Sequence, residues 1–536
     1  MSLQPDIGGL PRCAFLICGK TLTAFVLAVL MIGSLFPQAS LAQTPQEELR
    51  SGIQAFQSHN FAAAEQAFSK LVEIDGSATN YGYLAMAEAA DGQLDRAIAD
   101  FQKSIQLGNK SPNTRYNLGL AYIQGGQAEA AIQEFRQVVA LDPKYLPARY
   151  ALGMTLLKMG RAREAVGIIA DAHKLAPTDP RLWVALADAQ FEAGDSKQAV
   201  NTSQNAIQAI PNNPRLAVTL ASVCLGHGQI QTARDLLEDA NELMPQNPEV
   251  RILLAKASLM AGEPVEALAV LRGMPSSGTE HLEELQLMGQ AQALTGRLSA
   301  AEEDLASAVK QSPNDPRYLT SYAWVRQLQG RYNDAIATLA KARALDPKTP
   351  AIPYRMAVSY YFLKQYAQAQ RFCRAALRLN PKYAAAYLLL GTSQLKQKDV
   401  TDALASLQKA VSFDPAQGLF HREFAEALFK SNQIPAARKE LDEALSLDPK
   451  DAESYFWRGK LLASEGAERQ AIASLNTAVE LSPEYADAYG ELAELYRKTG
   501  QPQQAAAALA EQKKSMASSN GAEGGRLLRS LPDASR

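Results

Sequence analysis

From Ala97 to Ala505 an alanine returns every 34 residues, thirteen times in one unbroken register. Twelve residues ahead of each stands a second small residue, always Gly or Ala, as at Gly119 before Ala131 and Gly289 before Ala301. A fixed period of this length describes a stack of one repeated unit, each touching only its neighbours, and not a single globular core. The allowance of about 150 residues per domain therefore fails for such a chain. Its 536 residues read as one elongated domain.

The frame Pro112 to Tyr145 shows what one unit is. Apolar residues three and four apart fill two stretches, the helical period, and Gly125-Gly126 divides them. Each helix is about 13 residues, or about 20 Å at about 1.5 Å per residue. Two helices joined by a tight turn come closest at one crossing point, and large groups there would force the backbones apart. Positions 8 and 20 of the frame, Gly119 and Ala131, supply the small pair, while Leu118, Tyr122 and Phe135 fill the flanking space. Proline then closes the second helix in a fixed register, as at Pro143, Pro347 and Pro449. It lacks an N–H and disfavours a helical residue before it. In the frame Pro248 to His281, Pro275, Ser276, Ser277 and Gly278 cut the second helix short, so an irregularity or hinge is expected near 273–278. Regular Gly and Pro breaks exclude a long coiled coil.

Period, small pair, aromatic positions and terminal proline together resemble the tetratricopeptide repeat family. The resemblance covers residues 45–519 and fourteen units, the first one residue short. It implies an all-α fold, a right-handed superhelical solenoid of stacked antiparallel helix pairs. It also implies a non-enzymatic scaffold whose first helices line a concave groove. The formal net charge of −2 gives no footprint for nucleic acid or for a polybasic membrane surface.

The N-terminus reads as an export signal over residues 1–42. Arg12 and Lys20 precede the apolar run Leu22 to Phe36, and Ser40-Leu41-Ala42 forms a small-x-small cleavage site. The run is short for a membrane span of about 20 residues. An uncleaved N-terminal anchor, the one route to the membrane, stands as the alternative. A periplasmic or secreted location follows from cleavage. Residues 520–536, rich in Ser, Ala and Gly, read as a disordered tail. Cys13 and Cys18 would leave with the signal, and Cys224 and Cys373 fall on core positions four units apart, so both are expected as buried free thiols.

No catalytic constellation stands in the sequence. The five histidines occupy different repeat positions with no metal-ligand spacing between any pair, and neither a phosphate loop nor Cys-x-x-Cys occurs. Neither enzyme activity nor a cofactor or metal is expected.

In the resembled family, positions 2, 5, 9, 12 and 13 face the groove. Here these positions single out Tyr116, Tyr150, Phe191, Arg317, Trp324, Tyr354, Tyr361, Phe362, Arg422 and Phe429 as partner contacts. Trp324, Tyr354, Tyr361 and Phe362 form the leading patch, because aromatic side chains and arginine carry much interface energy. The same aromatics at helical spacing also fit packing between units, so both readings stand. Asn113 and Asn117 lack the matching lysines of a carboxylate-clamping groove. The functional expectation is a scaffold or adaptor of the bacterial envelope or exterior. It binds proteins or extended peptides, in a context of envelope assembly, secretion or polysaccharide export. The alternative is a glycan-binding accessory that stacks sugar rings on the aromatic patch.

Overall fold

A computed structural model describes residues 44–273 and 278–518. The expected export signal at 1–42 and tail at 520–536 lie outside the described residues, as do residues 274–277 of the expected break. The described residues form 28 α-helices and no strand. Numbered in chain order, α1 is Pro45–Gln57 and α28 is Pro502–Ser518, with odd numbers for first helices and even numbers for second helices. The helices divide into two compact units on either side of the Ala257–Ser258 bond. Within each unit a first helix packs on its own second helix, and the second helix packs on the next first helix.

The crossing point explains the small residues. A Cβ added to Gly289 in α15 (Gly278–Leu294) would lie 2.6 Å from Leu305 Cγ and 3.2 Å from the Ala301 carbonyl oxygen in α16 (Leu298–Gln311). Gly459 meets Leu475 in the same way, with Cγ at 2.6 Å from the added Cβ. Gly119 likewise lies directly against the Phe135 ring. Position 8 is therefore small because position 24 of the second helix reaches over it. Ala131, Ala301 and Ala471 are fully buried against the same crossing.

The proline register also has a local cause. α6 (Ala128–Leu141) ends on Asp142 at φ −133°, ψ 94°, immediately before Pro143. Asp346 closes α18 (Tyr332–Leu345) at φ −130°, ψ 87°, before Pro347. Proline imposes this extended backbone on the residue it follows. The turn inside each pair needs one left-handed residue, Gly126 at φ +73° and, at the equivalent place, Lys364 at φ +58°. Near the expected break, α14 (Pro264–Leu271) has 8 residues against 14 in α12 (Ile230–Leu243). Arg272 leaves the helix in extended conformation and Gly273 follows at φ +67°.

Cys224 and Cys373 are buried and outside any disulfide. Burial pushes the Cys224 thiol up to about 11 and raises that of Cys373 as well. No helix among the described residues is long and apolar enough to cross a membrane.

One buried carboxylate is set against the fold's apolar interior. Glu88 of α3 (Ala78–Ala90) is fully buried and interacts with Asp100 of α4 (Leu94–Gln106). Burial first, and the Asp100 charge second, push its carboxyl up to about 8, against the pull of Arg96 at 3.1 Å. A folded state that holds this proton is penalised wherever the unfolded chain has released it. The penalty is absent below about 4.5, grows as pH rises, and is complete above about 8. Glu88→Gln is therefore expected to raise stability by roughly 1–3 kcal/mol at pH 8.5 and to change little at pH 4, with Arg96 in water screening part of the effect. Thermal denaturation at the two pH values checks it, and an equal shift at both contradicts it.

Candidate partner-binding surface

In the N-terminal unit the expected contact residues are engaged with their own neighbours. Tyr116 is half-buried, with its ring 5.9 Å from Phe135 and 5.5 Å from Tyr145. Tyr150 is half-buried beneath Arg181, whose guanidinium lies 5.8 Å from the ring centre. Phe191 is buried and stacks on His227 at 4.8 Å and 12°.

The leading aromatic patch divides in two. Trp324 is 9% exposed and belongs to a core cluster with Ala301, Leu305 and Val325. Tyr354 is 2% exposed, its ring 5.1 Å from Tyr383 in the core of its repeat pair. Packing between repeats thus takes up both. Tyr361 and Phe362, at the end of α19 (Ala351–Phe362), stay half-buried. Phe362 stacks on Tyr332 at 5.3 Å, and Tyr361 meets Tyr366 edge-on at 5.6 Å. Arg317 is exposed but folds back onto Asp315, with Nη2 2.7 Å from Oδ2.

Arg422 of α23 (Gly418–Lys430) is buried at 7% exposure and holds three carboxylates. Asp451 lies at 3.0 Å, Glu423 at 3.1 Å and Glu453 at 2.7 Å. Burial alone would lower this guanidinium, but the three negative charges outweigh it and hold its pKa above the ordinary arginine value. Burial likewise raises the Glu423 carboxyl, against the pull of Arg422. Arg422 therefore ties α23 to the start of α25 (Ala452–Ser464), a structural tie between repeats 12 and 13.

Beside this tie runs a half-open strip on the first helices of the later repeats. It begins at Tyr361, whose hydroxyl burial and then the charges of Glu423 and Glu426 hold well above the ordinary range. Glu426 pairs with Lys430 one turn on. The Lys430 and Lys460 ammonium groups each lie 5.8 Å from the centre of the half-buried Trp457 ring. Phe429 packs on the same ring at 5.9 Å, and Lys460 reaches Glu491 of α27 (Ala486–Lys498) at 2.5 Å. Trp457 sits at position 6, outside the five positions read as groove contacts. That it is one of only three tryptophans was the signal available in the sequence.

The Tetratricopeptide repeat family profile matches residues 88–152, 125–189, 156–223, 224–287, 327–392, 363–422, 394–456 and 462–522. A second profile of the same description matches 287–350. The chain belongs to the tetratricopeptide repeat family, and the repeats make it a protein-binding scaffold. A search of the curated proteins returns no match. Among solved structures, the chain is similar to the one described as "Crystal structure of APC/C hetero-tetramer Cut9-Hcn1". The two are 17% identical over 95% of this chain and 98% of that one, with a TM-score of 0.45. It is also similar to "Crystal structure of MamA", 21% identical over 30% of this chain and 95% of that one, with a TM-score of 0.27.

Proposed function

We propose that this chain is an exported, non-enzymatic adaptor of the bacterial envelope or exterior. It holds a partner protein or an extended peptide against the first helices of repeats 10 to 14. The observation that carries this reading is Trp457, a half-buried ring between two lysines whose ion pairs are exchangeable. Exposed or partly exposed pairs such as Lys430–Glu426 contribute only about 0–1 kcal/mol each, so a partner's charges can replace them at little cost. Tryptophan at such a place is the residue type that dominates binding energy. Export rests on the charged, apolar and small-residue order of residues 12–42.

A glycan-binding accessory needs open ring faces. Trp324 and Tyr354 are buried, and two lysines occupy the Trp457 ring, so the protein-binding reading is favoured. The test is co-isolation from envelope protein extract and from soluble glycans. Trp457→Ala with Lys460→Ala is expected to weaken the partner by at least about 30-fold, or about 2 kcal/mol, with unchanged helicity. Lys439→Ala, an exposed change on a second helix, is expected to leave it intact. Undiminished partner recovery from the double variant contradicts the proposal, and loss of glycan retention alone favours the accessory reading.

A further inference from the structure

Two helix C-termini in the N-terminal unit bring three metal-binding side chains together. Asp188 and Glu192 stand one turn apart on α9 (Pro180–Glu192), so both carboxylates share a face. His227 caps the C-terminus of α11 (Pro214–Gly226), where its backbone N–H donates to the carbonyls of the last turn. Its Nε2 lies 3.3 Å from Asp188 Oδ1 and 3.9 Å from Glu192 Oε1. One ligand atom from each residue falls within 4.8 Å of the other two.

We propose that Asp188, Glu192 and His227 form a site for a zinc-class divalent cation, with one coordination position left open. Bonds of about 2.0–2.2 Å at tetrahedral angles place ligand atoms about 3.3–3.6 Å apart, and small side-chain rotations reach that spacing from the present one. One imidazole with two carboxylates suits zinc and its transition-metal neighbours, whereas calcium takes six to eight oxygen ligands. The Phe191 ring stacks flat on the imidazole at 4.8 Å and 12°, which fixes its plane. Glu192 is largely exposed, so the open position faces solvent on its side.

Electrostatics points the same way. A helix C-terminus carries partial negative charge and disfavours a carboxylate. Here Glu192 ends α9, Asp188 lies one turn before it, and the C-terminus of α11 adjoins both. No lysine or arginine pairs with either carboxylate among the described residues. A dication would offset both carboxylates and both helix ends at once. The site stands on these residues alone and does not depend on a partner at Trp457.

The test uses the full chain without an affinity tag, stripped with a chelator and titrated with Zn2+ alone by calorimetry. Co2+ serves as the absorbing substitute. One ion per chain is expected, together with a visible Co2+ absorption of tetrahedral intensity. Glu192→Gln, an exposed and conservative change, and Asp188→Asn are each expected to weaken Zn2+ by more than about tenfold. His227→Ala is expected to abolish the Co2+ band, while His59→Gln changes nothing. Absence of stoichiometric uptake by the parent chain overturns the proposal, as does a Zn2+ affinity in the Glu192 and Asp188 variants equal to that of the parent chain.

Discussion

Ala301→Trp is expected to cost the C-terminal unit about 3–5 kcal/mol, above the roughly 1–3 kcal/mol of an ordinary core insertion. The reason is backbone contact. A Cβ at Gly289 would already stand 3.2 Å from the Ala301 carbonyl oxygen, and Ala301 itself has no exposed surface. An indole at this place separates α15 from α16 and uncovers Leu305 and Trp324, which pack beside the crossing. In a stack of nearest-neighbour interfaces, a break with neighbours on both sides loses more than one at an end. Ala505→Trp, at the same repeat position in the last unit and already 8% exposed, is therefore expected to cost about 1 kcal/mol. Urea denaturation of the two variants checks the difference. An unchanged transition for Ala301→Trp contradicts the crossing geometry.

Arg422→Ala is expected to cost about 3 kcal/mol. Removal of one partner from a buried ion network leaves the others uncompensated, which typically costs about 3–5 kcal/mol. Glu453 is half in water and reduces the effect, while Glu423 and Asp451 keep most of their surface covered. Arg422→Met with Glu423→Gln is expected to recover more than half of the loss, because an apolar stem and a neutral amide remove the stranded charge. Denaturant titration of the single and double variants measures this recovery. A single variant as stable as the parent contradicts the role of Arg422 as a tie between repeats.

The repeat geometry was legible in the sequence because its cause is steric and local. Gly119 against Phe135 and Gly289 against Leu305 lie in the same unit, sixteen residues apart, so a period of 34 exposes both partners of the crossing. The proline register was legible for the same reason, since Pro143 acts on Asp142 directly beside it. The binding surface was less legible, because exposure depends on contacts between repeats. Tyr354 and Arg422 share position 5, yet one packs on the Tyr383 ring and the other reaches Glu453 of the following repeat. Trp324 carries the position of a groove contact but lies beneath Arg355 of the next first helix, 5.7 Å from the guanidinium carbon. No sequence spacing marks Asp188, Glu192 and His227, because their meeting depends on two helix ends separated by one repeat length along the chain.

In the proposed mode of binding, partners meet the first helices around Trp457. Site-specific photo-crosslinking tests it most directly, with a benzophenone amino acid placed at position 457 and, separately, at position 439 on the second helix. Position 457 is expected to yield a covalent adduct with an envelope protein, and position 439 none. Adducts from 439 in place of 457 would contradict the claim.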